Sequence, residues 1–118
     1  MSMLFLKGSF EDEGLNTFEV QMLSSIAKEI GLPLAFKIGG CEAKSDILTA
    51  LNYGADCIVA PMVESAFAAS KFVTATDPFL FLIKERNINI ETITAVENAE
   101  EIIKKHYDKI NGIVVGRT

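Results

Sequence analysis

The sequence predicts an α/β fold built from parallel β/α units, and three observations lead to this expectation. Short apolar runs alternate strictly with amphipathic segments, giving five predicted strands that start roughly 25 to 30 residues apart, the span of one β/α unit. The runs are nearly continuous in apolar residues, as in strands that are buried on both faces. The 118 residues suffice for one domain, and no linker or low-complexity segment divides them. We expect residues 1–118 to form that single domain.

The predicted strands are short apolar runs that end at glycine, proline or a polar residue. They are Met3–Leu6, Leu34–Ile38, Cys57–Ala60, Asn87–Glu91 and Ile110–Val115. The fourth strand alternates between isoleucine on one face and polar residues on the other, and its polar face ends at Glu91. Enzymes of the α/β class place their chemistry at the carboxyl ends of strands, so Glu91 is the first candidate site residue.

Capping signals and apolar periodicity predict the first two helices. The first begins at the capping box Asn16–Glu19 and ends at Gly31, where proline follows two residues later. Its predicted core-facing residues recur at every fourth position and are Phe18, Met22, Ile26 and Ile30. The second helix begins near Ser45 and ends at Gly54.

The same signals predict the helices in the second half of the chain. Ser65 caps a third helix that extends to about Ala75. Asp77-Pro78 then opens a short apolar helix through Lys84, although a strand over Phe79–Ile83 fits equally well. The last helix begins at a capping box over Asn98–Glu101, and His106 near its end is expected to be an exposed capping residue.

Two architectures fit this alternation, because both join parallel strands through right-handed helical crossovers. One is an open, doubly wound sheet of flavodoxin-like type. The other is five strands of a TIM-type β/α barrel, whose complete form takes about 250 residues. The sequence reaches Thr118 at the end of an apolar strand, without a following helix to cover that strand. This favours the partial barrel, and we expect a truncated barrel domain.

The composition argues against several classes of protein. The net charge is -5 and the sequence has no basic run, so we expect no nucleic-acid partner. Cys41 and Cys57 lack the spacing of a zinc site or a disulfide framework. They are interpreted as reduced thiols, which predicts a cytoplasmic protein. No apolar run approaches the roughly 20 residues that cross a bilayer, so we expect no membrane partner.

Four segments carry a family resemblance, in their order along the chain. They are Leu34–Ala43, Gly54–Ser65, Ile88–Asn98 and Ile110–Arg117. The most specific parts are Pro-Met-Val-Glu in the second and Ile-Glu-Thr in the third, together with the final Gly-Arg. These segments resemble successive strands of the HpcH/HpaI aldolase and citrate lyase family, which are Mg²⁺-dependent β/α barrels. The resemblance covers most of the chain.

The resemblance implies a lyase that forms or cleaves a carbon–carbon bond through an enolate of a 2-oxo acid or an acyl-CoA ester. Glu91 matches the family's metal-binding glutamate. Lys37 occupies the place of an arginine that reaches the substrate's carboxylate or enolate oxygen, and it is the candidate catalytic residue. Pro61, Met62 and Val63 match a loop that borders the substrate. Mg²⁺ suits this chemistry because it takes hard oxygen ligands and stabilises an enolate oxygen as a Lewis acid.

The sequence departs from the family pattern at four points. The second metal ligand, an aspartate soon after the Gly-Arg strand end, has no counterpart up to Thr118. The histidine base of the pyruvate aldolases has no counterpart in Phe10–Gly14, where Glu11–Glu13 are interpreted as a solvated loop. Lysine at position 37 lacks the bidentate fork of arginine. The segment before Asn87 is short for the family.

These departures leave two other functions open. The chain could be a non-catalytic anion-binding or regulatory module, or an inactive fragment of the lyase. Five parallel strands cannot close a barrel, so both sheet edges would be unpaired and we expect homo-oligomers. The 118 residues alone are expected to be inactive. Three smaller roles also stay open: Glu64 as a site residue or a helix charge, Glu97 and Asn98 as helix-entry residues, and Gly39–Gly40 as an anion cradle or a tight turn.

Overall fold

A computed structural model describes residues 6–9 and 17–116, and within them it contains five strands and four α-helices. The strands are β1 Leu6–Ser9, β2 Leu34–Lys37, β3 Cys57–Ala60, β4 Glu85–Ile90 and β5 Gly112–Val115. The helices are α1 Thr17–Ile30, α2 Lys44–Asn52, α3 Ala66–Thr76 and α4 Ile93–His106. In the described part of the chain, no helix combines the length and apolarity needed to cross a bilayer.

The strands form one sheet in which each strand pairs with the next along the chain. The order is β1-β2-β3-β4-β5 and every pairing is parallel. A flavodoxin-like sheet changes direction at a switch point, whereas a β/α barrel adds each strand to the same side of the preceding one. The prediction of parallel β/α units in the order of a partial barrel is therefore confirmed. The flavodoxin-like alternative is wrong.

The two faces of the sheet have different neighbours. Phe36 and Ile58 are fully buried and belong to the main core, together with apolar residues of all four helices. The intervening residues Ala35, Cys57 and Val59 form a small separate cluster. Since side chains alternate along a strand, this second cluster lies on the face away from the helices, which in a barrel is the interior. The interior face carries the candidate site.

The residue predicted to end α2 and the residue predicted to cap α3 are both confirmed. Gly54 follows α2 with φ of +85°, a conformation that glycine adopts without strain. The Ser65 hydroxyl caps α3 by accepting a hydrogen bond from the Ala68 N–H at 3.0 Å. Ala69 and Phe72 face the core, as predicted, and both are fully buried. These two helices fix the segments that precede and follow β3.

The predicted core face of α1 is wrong. Its four members are exposed, by 67%, 48%, 41% and 57% for Phe18, Met22, Ile26 and Ile30. The helix instead buries Val20 and Ala27 and packs the partly buried Leu23 against the core. With 3.6 residues per turn, each step of four residues rotates a stripe by about 40°, so the four predicted residues spread around the helix. Val20, Leu23 and Ala27, spaced at i, i+3 and i+7, lie on one side of α1, and this side faces the core.

In the second half of the chain, the predicted extent of one helix and the predicted start of another are also wrong. After α3 the structure has only a 3₁₀ turn at Asp77–Phe79, and neither a helix nor a strand extends to Lys84. Helix α4 begins at Ile93 rather than at Asn98, because Thr92 at the end of β4 caps it through the Ala95 N–H at 3.0 Å. Asn98 lies inside α4, so Glu97 and Asn98 do not form the helix entry.

His106 is buried, which contradicts the predicted exposed position. It is 6% exposed, and its Nε2 lies 3.0 Å from both the Ser70 hydroxyl and the Ala66 carbonyl oxygen. The side chain therefore joins α4 to α3. The predicted strand residues before Leu6 and the first residue of the Asn16–Glu19 capping box lie outside the described residues.

Candidate functional site

The sequence-predicted site residues lie at one edge of the sheet, because parallel strands all end on the same side. Lys37 is the last residue of β2, and Pro61 and Met62 directly follow β3. Glu91 directly follows β4. Each residue is thus placed by the end of a buried strand, so its position is fixed by the hydrophobic core beneath it.

Glu91 and Met62 are in direct contact. The half-buried Glu91 carboxylate accepts a hydrogen bond from the Met62 N–H through Oε2 at 2.9 Å. Met62 has φ of 45°, in the left-handed region that is uncommon for residues with a side chain. The charge-assisted hydrogen bond to Glu91 helps to offset the cost of this backbone conformation. The two segments that carried the family resemblance therefore meet in space.

Two asparagines below Glu91 continue its polar face into the interior of the sheet. Asn89 donates from Nδ2 toward Glu91 Oε1 at a long 3.5 Å, and Asn87 donates to the Cys57 sulfur at 3.3 Å. The amide oxygens of both asparagines are buried without a hydrogen-bond partner among the described residues. We call Asn87, Asn89 and Glu91 the polar column. Buried orphaned acceptors are costly, so the column marks a place that favours a cation or a hydrogen-bond donor.

The sequence analysis missed the role of the asparagines in the polar column. Their signal was the alternation with Ile88 and Ile90, which predicted the correct face but not its function. Asparagine is rare at buried strand positions, because its amide requires several partners. Two such residues on the interior face, directly before Glu91, could have been taken as site residues.

Lys37 shares the interior face with the polar column. In the hydrogen-bonding register Lys37 is aligned with Val59, and Val59 with Asn87. Side chains in one register row project to the same face, so Lys37 points to the interior side and is half-buried. Its position at the carboxyl end of β2 suits a cation that contacts an anionic ligand near Glu91.

The three residues of the predicted substrate loop, Pro61–Val63, differ in how far they are exposed to solvent. Val63 is fully buried in the main core, and its N–H donates to the Asn89 carbonyl oxygen at 3.1 Å. Its side chain therefore does not face open space. Met62 is 53% exposed and Pro61 is half-buried, so these two residues form the accessible part of the loop.

Gly39 and Glu64, whose roles the sequence left open, both form hydrogen bonds near the site. The Gly39 N–H donates to Asp46 Oδ2 at 2.7 Å, which ties the glycine turn to helix α2. The Glu64 carboxylate accepts from the Thr92 hydroxyl at 2.8 Å, and Thr92 directly follows Glu91. Glu64 thus supports the junction between β4 and α4 rather than helix α3 alone. Both contacts hold the loops around the site in place.

Cys41 lies in the loop after β2, close to the Pro61 segment. Its sulfur is 3.9 Å from the Pro61 carbonyl oxygen. Burial, and then the neighbouring Glu42 carboxylate, raise the pKa of the Cys41 thiol. A protonated thiol is a poor nucleophile and a poor metal ligand, so Cys41 is a packing residue of the loop.

The donor atoms at the strand ends fit one side of a Mg²⁺ site. Mg²⁺ takes hard oxygen ligands and keeps several waters, and Glu91 supplies a half-buried carboxylate at the carboxyl end of β4. Within residues 6–9 and 17–116, no group of three acidic, histidine or cysteine side chains is placed to hold a metal ion. A complete site needs further oxygens.

No histidine base is found at the described part of the site. His106 is buried between α3 and α4, among the helices that cover the outer face of the sheet. The acidic segment Phe10–Gly14, where the pyruvate aldolases carry their histidine, lies outside the described residues. The predicted absence of a base is therefore tested only for the described strand ends.

Comparison with known proteins places this arrangement in a known fold. No protein-family model and no curated protein matches the sequence. A solved structure, the HpcH/HpaI aldolase from Desulfitobacterium hafniense DCB-2, superposes with a TM-score of 0.74 at 18% sequence identity. The match covers 95% of this chain and 52% of the aldolase, so the chain spans about half the length of that protein. The chain therefore has the fold of an HpcH/HpaI aldolase over nearly all of its length, as the sequence resemblance predicted.

Proposed function

We propose that the chain forms part of a Mg²⁺-dependent carbon–carbon lyase that acts on a 2-oxo acid or an acyl-CoA ester through an enolate. The observation that carries the proposal is the polar column. Glu91 ends the column at the carboxyl end of β4, is held by the Met62 N–H at 2.9 Å, and follows Asn89, whose buried amide oxygen has no partner among the described residues. The aldolase fold supports the same reading.

In this proposal each residue of the chain has a distinct task. Glu91 is a metal ligand, and its contact with Met62 fixes the direction of the carboxylate. Lys37 neutralises the carboxylate or enolate oxygen of the substrate, since a cation in a water-poor site stabilises developing negative charge. Pro61 and Met62 border the substrate and exclude water. When bound, Mg²⁺ would act as a Lewis acid toward the substrate oxygen.

The test is proton exchange at the methyl group of pyruvate or acetyl-CoA in ²H₂O, followed by NMR with and without Mg²⁺. The assay uses the complete natural polypeptide that contains these residues, because the described residues include no group of three side chains that could hold a metal ion. Exchange that needs Mg²⁺ and disappears in Glu91→Gln supports the lyase. Glu101→Gln, an exposed carboxylate on α4, is the matched control and should exchange normally. Absence of exchange in the natural polypeptide would reject the proposal.

A second function is a non-catalytic module that binds an anionic small molecule. The observation in its favour is that Lys37 shares the interior face with the polar column, while no group of three side chains among the described residues is placed to hold a metal ion. Titration calorimetry with pyruvate, in the presence and absence of EDTA, separates the two functions. Binding that ignores EDTA and Glu91→Gln but is lost in Lys37→Met supports the module, and binding that requires the metal supports the lyase.

A further inference from the structure

A groove lies on the helical side of the sheet, between α2 and α3. It has a volume of about 540 Å³, and its lining includes Ile47, Leu48, Phe67 and Phe79. Leu48 and Phe67 are 53% and 70% exposed, although both are large apolar residues. The groove follows α3 from Phe67 near its first turn to Phe79 just beyond its end. Neither the sheet edges nor the strand ends take part in it.

A protruding apolar turn adjoins the end of this groove. Leu80, Phe81 and Leu82 follow Phe79 directly and are 48%, 82% and 50% exposed. The turn has a defined shape, because the Phe79 carbonyl oxygen accepts hydrogen bonds from the N–H groups of Leu82 and Ile83 at 2.9 and 3.1 Å. The hydrophobic projection therefore begins at a residue that lines the hydrophobic groove.

We propose that this surface is a two-fold contact between two copies of the chain, in which the Leu80–Leu82 turn of each copy occupies the groove of the other. A two-fold contact uses the same patch on both copies, so the patch must be complementary to itself. A projection next to a depression meets this condition. A bilayer surface would accept the turn but would leave the groove empty, because the bilayer has no projection to fill it.

The size and charge of the patch suit a second copy. The exposed side chains of Leu48, Phe67 and the Leu80–Leu82 turn would each remove on the order of 100 Å² from water. Five such residues on each copy give about 1,000 Å² in total, the lower bound for a specific interface. The rim carries Lys44, Lys71 and Glu42, with Lys71 3.8 Å from Glu42. The net negative charge of the chain is therefore not concentrated here, and like-charge repulsion is small.

The experiment is sedimentation equilibrium of the complete natural polypeptide that contains these residues, and of three variants, over a micromolar concentration series. Phe81→Asp places a charge on the projection, and Phe67→Asp places one in the groove. Phe18→Asp on α1 is the matched control, since Phe18 is 67% exposed but lies on another helix. We expect a wild-type dimer, an increase of the dimer dissociation constant by at least 100-fold in the first two variants, and no change in the third.

Circular dichroism checks that the variants fold. We expect all three to fold, because the substituted side chains are exposed. A cross-linking measurement gives a second readout. Copies with Phe81→Cys mixed with copies with Phe67→Cys should form a mixed disulfide dimer faster than either variant forms a disulfide alone. A monomeric wild-type protein, a Phe81→Asp variant that dimerises normally, or disruption by Phe18→Asp instead would each overturn the proposal. The last result would assign self-association to the α1 edge of the sheet.

Discussion

Gly112→Ala is the perturbation that most directly probes the packing of the polar column. A Cβ atom at Gly112 would lie 2.8 Å from Asn87 Oδ1 and 3.1 Å from Asn87 Cγ. The first distance is shorter than any ordinary contact, so the Asn87 amide must move, and it is held by its hydrogen bond to Cys57. Overpacking of this kind costs about 1 to 3 kcal/mol of stability. We expect that loss in the free energy of unfolding.

Urea denaturation followed by circular dichroism measures the loss. Gly116→Ala is the matched control, because a Cβ atom there meets nothing within 4 Å among the described residues, and we expect a change of less than about 0.5 kcal/mol. Removing the obstructing amide in the Asn87→Ala background should make Gly112→Ala nearly neutral. The reasoning is refuted if Gly112→Ala is as stable as Gly116→Ala, or if its cost is the same with and without Asn87.

Three further predictions concern single side chains. His106→Ala should lower the free energy of unfolding by about 1 to 3 kcal/mol, because it leaves buried groups without their partner, whereas the exposed neighbour Tyr107→Ala should have little effect in the same urea titration. Equal costs would contradict the buried position. Thr92→Ala should cost about 0.5 to 2 kcal/mol through loss of the α4 cap, and Thr94→Ala, which is exposed, is the control; a neutral Thr92→Ala would disprove the cap. Cys41 should react with iodoacetamide at pH 8 more slowly than a free cysteine peptide, since a raised pKa lowers the thiolate fraction. The difference should shrink as the pH rises, and a reaction as fast as the peptide's would refute it.

Four of the five strands could be predicted from sequence because their signals are local and strong, whereas the first extends to Ser9, beyond its predicted end at Leu6. Cys57–Ala60 is a fully buried apolar run that ends at proline, and both its bounds are as predicted. The alternation of apolar and polar residues in β4 also predicted that Glu91 lies on the same face of the sheet as Asn87 and Asn89. The strict alternation of strands and helices predicted parallel β/α units, but only the structure gave the order of the strands and excluded the doubly wound alternative.

The errors arose where tertiary contacts decide between equivalent local patterns. In α1 two apolar stripes have helical spacing, and the one with smaller side chains, including Val20 and Ala27, faces the core. Asn98 fits a capping box, but its amide donates to the Glu64 carbonyl oxygen at 2.8 Å, a partner 34 residues away. The partners of His106 are equally distant in sequence. Such contacts have no signal in the residues that surround them.

The candidate site was predictable only in part, for a similar reason. Glu91 and the Pro61–Val63 segment were identified from the resemblance, but the hydrogen bond from the Met62 N–H to Glu91 joins residues 29 positions apart, and no local pattern predicts it. The buried amide of Asn89 became a site feature only when the structure left its oxygen without a partner among the described residues.

The measurement that tests the central proposal most directly is Mn²⁺ binding, followed by paramagnetic broadening in the ¹H–¹⁵N NMR spectrum of the protein. Mn²⁺ takes the same hard oxygen ligands as Mg²⁺. The proposal predicts that the Met62 and Asn89 signals broaden first, that EDTA restores them, and that Glu91→Gln abolishes the effect while Glu101→Gln does not. Broadening that begins on the acidic surface of α4, or that persists in Glu91→Gln, would contradict the assignment of Glu91 as a metal ligand.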